Sequence, residues 1–94
     1  MLGLFWTPEA IQDREDIYDY IESDNRAAAL ALDELFKEKA ARLLDHPGMG
    51  RPGREPGTRE LVAHENYILV YDETADSVRV LRVLHVALQW PRSD

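Results

Sequence analysis

The chain contains no cysteine. That absence excludes a disulfide framework, a thiolate metal site and a cysteine nucleophile, and makes a reducing cytoplasm the simplest compartment. Nor does any apolar run approach the ~20 residues that a membrane span needs. Met1 to Thr7 lacks the basic start and the apolar stretch of a signal peptide. Positive charge is scarce: 11 Lys and Arg face 18 Asp and Glu, a formal net charge of −7. Residues 1–50 carry five basic against eleven acidic side chains, and residues 51–94 six against seven, so the acid belongs to the first half. A field of that sign does not draw nucleic acid or ribosome from a distance. What is present is ordinary for a globular protein. Ninety-four residues, 45% hydrophobic and 31% charged, are expected to form one folded domain over 1–94 with a modest core.

Leu2 to Thr7, with Leu4 and Trp6 alternating against Gly3 and Phe5, predicts an edge strand. Thr7-Pro8 reads as a cap followed by proline in the first helical turn. A helix from Pro8 to about Ser23 is expected to bury Ala10, Ile11, Ile17, Tyr20 and Ile21 and to leave Asp13, Glu15, Asp16, Asp19 and Glu22 to water. Asp24-Asn25 recaps the chain into a second helix, Arg26 to about Asp45. Its stripe is Ala28, Leu32, Leu35, Phe36, Lys39 and Leu43, with Lys39 snorkelling, and His46-Pro47-Gly48 ends it. The short turn between the two implies an antiparallel hairpin. Thr58 to His64, Tyr67 to Asp72 and Val78 to Leu84 then read as three strands in a meander. With the N-terminal strand they predict a four-stranded, mostly antiparallel sheet under the helical hairpin, an α+β fold.

Between hairpin and meander lies the least regular stretch, Gly50 to Leu61, which gathers Arg51, Arg54 and Arg59. Its Gly and Pro are explained by a stiff connector that needs positive φ in places. The arginines have two readings that stand level: pairing with the acidic first helix or with Glu55 and Glu60, or presentation to a partner. His85 reads as a strand-end histidine, or as an acid or base. His46 lies at a helix C-terminus and His64 at a strand end, and three scattered histidines make no metal site. Trp6 is expected in the core. Trp90, in the tail Gln89-Trp90-Pro91, is the best placed aromatic for a protein contact.

The strand-helix-helix-meander order, with Trp6-Thr7-Pro8-Glu9-Ala10, Tyr20-Ile21, His46 through Arg54, Gly57-Thr58-Arg59-Glu60-Leu61, Tyr67 through Tyr71 and Arg82-Val83-Leu84-His85, resembles the RelE/ParE superfamily of toxins from bacterial type II toxin-antitoxin modules. The resemblance covers nearly the whole chain. It implies a small cytoplasmic toxin without a cofactor or metal, held in a hetero-oligomer by a cognate antitoxin protein and away from membranes. The superfamily divides into ribosome-dependent mRNA endonucleases and ParE-like inhibitors of DNA gyrase.

For metal-free RNA cleavage a base, an acid and fixed positive charge are needed. In that reading Arg51, Arg54 and Arg59 hold phosphate, Arg82 stabilises the transition state, His85 transfers a proton and Tyr67 stacks a base, so that Arg59, Tyr67, Arg82 and His85 are the catalytic candidates. Several features depart from the nuclease pattern. Ile68 stands where the nucleases commonly have a basic residue, and Val86-Ala87-Leu88-Gln89 replaces their basic and aromatic ending. Strict alternation also puts Arg82 and His85 on opposite faces of their strand, so a bulge or strand end is required to bring them together. The gyrase inhibitor is therefore the preferred expectation, with DNA gyrase as target and Arg51, Arg54, Arg59, Arg82 and Trp90 as the partner-binding residues, the four arginines being suited to acidic residues of the antitoxin. The alternatives are the nuclease, acting on ribosome and mRNA, and an inactive relative kept as a binding partner.

Overall fold

In the computed structural model, which describes residues 2–87, strand β1 (Gly3–Trp6) leads into helix α1 (Pro8–Glu22) and helix α2 (Arg26–Arg42). A 3-10 turn, Pro47–Met49, precedes β2 (Arg51–Pro52), β3 (Arg59–His64), β4 (Tyr67–Glu73) and β5 (Ser77–His85). The helix starts follow from their caps. The Thr7 hydroxyl accepts the Ala10 N–H (3.1 Å) ahead of Pro8, and Asn25 Oδ1 accepts the Ala28 N–H (3.0 Å). Among the described residues, no helix is long and apolar enough to cross a membrane.

One mixed sheet runs in the order β1-β5-β4-β3-β2. β1 lies parallel to β5, and the other pairs are antiparallel. The α+β class and the hairpin-on-sheet arrangement expected from the sequence are observed. The fifth strand is the difference: residues 51–52, read as connector, pair with Glu60 and Arg59. Two residues ending in a proline have too little apolar content and too few N–H groups to announce a strand.

The core lies between the hairpin and one face of the sheet. Ala10 from α1, Leu32, Phe36 and Ala40 from α2, and Leu43 just beyond it, pack with Leu61, Ala63, Leu69, Tyr71, Val78, Val80 and Val83. Two details of the helix faces depart from expectation. Ala40 is buried in place of Lys39 and Ala29 in place of Ala28, while Leu32, Phe36 and Leu43 of the expected α2 stripe are buried as read. Tyr20 and Ile11, both counted with the apolar face of α1, are 81% and 45% exposed. On the opposite face of the sheet Ile68, Val70 and Leu84 form a second, smaller cluster.

Tyr71 ties the loop to the sheet. Its ring is fully buried, and its hydroxyl donates to the Pro47 carbonyl (2.7 Å) and accepts the Gly50 N–H (2.9 Å). Here glycine is required by space, because a Cβ on Gly50 would lie 2.7 Å from the Tyr71 hydroxyl and 2.9 Å from the Glu60 carbonyl oxygen. Gly50→Ala is therefore expected to destabilise by about 1–3 kcal/mol through overpacking. Tyr71→Phe, which leaves a buried N–H unpaired, should cost a similar ~1–3 kcal/mol. Urea unfolding of both variants checks this; wild-type midpoints would refute the role given to the hydroxyl.

Candidate functional site

β1 stops at Trp6 because Thr7-Pro8 turns the chain into α1, whereas β5 continues to His85. Beyond Val80 the outer edge of β5 therefore faces side chains instead of a strand. Thr7 Oγ1 donates to the Leu81 carbonyl (2.9 Å) while it caps α1. One turn further, the Asp13 carboxylate accepts the Val83 N–H (2.9 Å) and a bidentate pair from Arg82 (2.7 and 2.9 Å). Asp13, expected to face water, is thus mostly covered. It stands three residues after Ala10 and four before Ile17, on the buried stripe, and an acid there needs a partner. That spacing is the signal by which the sequence could have revealed it. The hydrogen bond to Asp13, ahead of the opposing effect of burial, raises the pKa of the Arg82 guanidinium.

An open cavity of about 540 Å³ lies between α1 and the end of β5, lined by Asp13, Asp16, Ile17, Tyr20, Tyr67 and the run Arg82 to His85. Arg82, Tyr67 and His85 are thereby brought together. The route differs from the one expected. A bulge is present, since Tyr71 pairs with Val80 and Val70 with Arg82, leaving Leu81 as the extra residue. It precedes both Arg82 and His85 and does not change their alternation. They meet because Arg82 turns to the open edge occupied by Asp13, while His85 ends the strand on the helix side.

Tyr67 sits between two histidines in the sheet register, His64 on β3 and His85 on β5. Its ring meets His85 edge-on at 5.3 Å and Phe36 at 5.6 Å. Burial, followed by the nearby Tyr20, raises the Tyr67 pKa above the ordinary 10.0. His85 Nδ1 accepts the Ala87 N–H (3.1 Å), so in the neutral ring the proton belongs on Nε2.

The arginine loop has its own centre. Glu60 is 3% exposed and accepts from Arg51 (3.3 Å) and from the Arg54 backbone N–H (3.1 Å), with Arg54 Nε at 3.7 Å. Arg59 donates to the Gly50 carbonyl (3.0 Å). Of the two readings left open for this loop, pairing with Glu60 describes Arg51 and Arg54, and the acidic helix α1 instead engages Arg82. Glu60 opposes Val70 and Val70 opposes Arg82, so the loop's carboxylate and Arg82 occupy one row across the sheet. Arg79, one row further, is held by Asp72. Trp90 lies outside the described residues.

Removing the Asp13 carboxylate strands the Arg82 charge and the Val83 N–H together, so Asp13→Ala is expected to cost about 2–4 kcal/mol. Asp16→Ala, which removes an exposed hydrogen bond from Gln12, should stay within ~0.5 kcal/mol. Chemical denaturation distinguishes the two. Because the folded state holds the Tyr67 proton to higher pH than the unfolded chain, this residue makes stability fall as pH rises through 10 towards its raised folded value. Tyr67→Phe should flatten that alkaline decline, as read from unfolding midpoints on either side of pH 10.

Comparison with known proteins gives this geometry a family. Residues 4–90 match the ParE toxin of the type II toxin-antitoxin system parDE. The Y4kP protein of Sinorhizobium fredii is 39% identical over 88 residues, which cover 93% of this chain and 91% of that one. A solved chain of the chromosomal ParDE system of P. aeruginosa superposes with a TM-score of 0.81 at 28% identity, covering 92% of this chain and 97% of its own length. YafQ from E. coli superposes with a TM-score of 0.65 at 15% identity, over 93% and 96% of the two chains, a likeness of fold. The chain belongs to the ParE toxin family of type II toxin-antitoxin systems.

Proposed function

We propose that this toxin is neutralised by a cognate antitoxin in the cytoplasm and arrests growth by inhibiting DNA gyrase, through protein contacts and without a nuclease centre. The observation that carries this reading is the pairing of its arginines. Arg51 and Arg54 meet Glu60, Arg79 meets Asp72 and Arg82 meets Asp13. A clamp for RNA phosphates works through guanidinium charge directed at the ligand, and here much of that charge is already engaged by carboxylates of the same chain, Glu60 serving both Arg51 and Arg54. The likeness to a chain of a ParDE system supports the same branch. Arg51, Arg54, Arg59 and Arg82 are assigned to the partner-binding surface, with Trp90 as a further contact.

The nuclease reading keeps one specific observation in its favour, the convergence of Tyr67, Arg82 and His85 on one cavity. Purified, antitoxin-free protein separates the two. Loss of plasmid supercoiling by gyrase, or accumulation of cleaved DNA complexes, with mRNA intact on programmed ribosomes, is the expected result. Codon-positioned cuts in the mRNA with gyrase unaffected would overturn it. His85→Ala, at an exposed position, is expected to leave growth arrest unchanged; abolished arrest with the fold and antitoxin binding intact would assign proton transfer to His85.

A further inference from the structure

The two edges of the sheet are finished differently. The β2 edge is two residues long, carries Arg51 and ends in Pro52, which has no N–H to offer. These are the devices that keep an edge from pairing with another chain. The β1 edge has none of them. Leu2-Gly3-Leu4-Phe5-Trp6-Thr7 bears no charge and no proline, and Phe5 is 53% exposed.

The backbone of β1 has a defined free register. The Gly3 N–H donates to the Asp76 carbonyl and the Thr7 N–H to the Val80 carbonyl, so Gly3, Phe5 and Thr7 direct their polar groups at β5. By alternation along the strand, Leu4 and Trp6 direct theirs outward. An antiparallel strand with outward groups two residues apart satisfies all of them, and β1 itself is such a strand.

We propose that β1 is a self-association edge, pairing antiparallel with β1 of a second copy about a twofold axis at Phe5. Leu4 of each copy then exchanges hydrogen bonds with Trp6 of the other, and the two Phe5 rings meet in the non-hydrogen-bonded pair on the face away from the helices. The register preserves the faces: the half-buried Leu4 and Trp6 stay on the helix side and Phe5 on the other. A second copy fits better than a charged partner strand because the edge offers no charge to pair with. The carboxylate nearest in register, Asp72, is taken by Arg79, which lies beside Phe5, so like charges of the acidic chain are not set against each other there. This inference concerns assembly and stands apart from the gyrase reading.

The absence of cysteine makes the register directly testable in the full chain. Phe5→Cys places two thiols opposite each other across a non-hydrogen-bonded pair and should give a covalent dimer under mild oxidation, whereas Leu4→Cys, opposite Trp6, should not. Sedimentation of the wild-type chain should show a concentration-dependent monomer–dimer equilibrium, which Phe5→Lys weakens by roughly tenfold or more while leaving the circular dichroism unchanged. A wild-type chain that remains monomeric across the concentration range, or equal crosslinking of the Phe5→Cys and Leu4→Cys chains, overturns the proposal.

Discussion

The open edge of β5 sets the terms for the rest of the molecule. A parallel strand pair cannot end without leaving backbone donors and acceptors behind, and in this chain β1 is the shorter partner. Thr7 and Asp13, one at the mouth of α1 and one a turn and a half inside it, supply the missing acceptors and donors from side chains. Because those bonds have fixed directions, they also fix how α1 lies on the sheet. The position of Arg82, the cavity beneath α1 and the seat of His85 all follow from that placement.

An acidic protein that gathers arginines in its least regular stretch has a physical reason to do so. Gly50 to Thr58 carries little apolar surface with which to fold onto the sheet. Glu60, buried on β3, provides an ionic centre instead, and Arg51 and Arg54 converge on it while the Tyr71 hydroxyl holds the loop's start. The guanidinium planes remain about half exposed, at 62% and 43% for the two side chains, so one arrangement both orders the loop and leaves flat, hydrogen-bonding surface for a partner. Because Glu60 is buried while both arginines reach solvent, these contacts keep its carboxylate satisfied and fix the geometry of the loop.

Much of the fold was legible in the sequence because local and periodic signals agree there. Thr7-Pro8 and Asn25 are strong helix starts, and the Val, Ile, Leu and Tyr runs after Thr58 have no competing interpretation. The site was legible in part. Arg82, Tyr67 and His85 stood out by type, but their convergence depends on where β1 ends relative to β5, a relation between residues more than 70 positions apart that no periodicity records. Asp13 was missed because an acid in an acidic helix looks solvated unless its place on the Ala10-Ile17 stripe is weighed. Tyr20 erred in the opposite sense, since spacing assigns it to an apolar face that the last turn of α1 does not bury. β2 escaped notice because its two residues carry no strand signature of their own.

The parallel pairing of the first strand with the last has a consequence for the order in which the molecule is made. Residues 3–6 are synthesised well before their partners, residues 77–80. Until then β1 has no neighbour, β4 has an open flank and Asp13 has nothing to cap. The helical hairpin, built from contacts close in sequence, is able to form early, but the sheet closes only when β5 arrives between two strands already waiting for it. A chain cut short before β5 therefore loses an interior strand and not merely the sheet's rim, and with it the one element that joins β1 and α1 to the rest of the sheet.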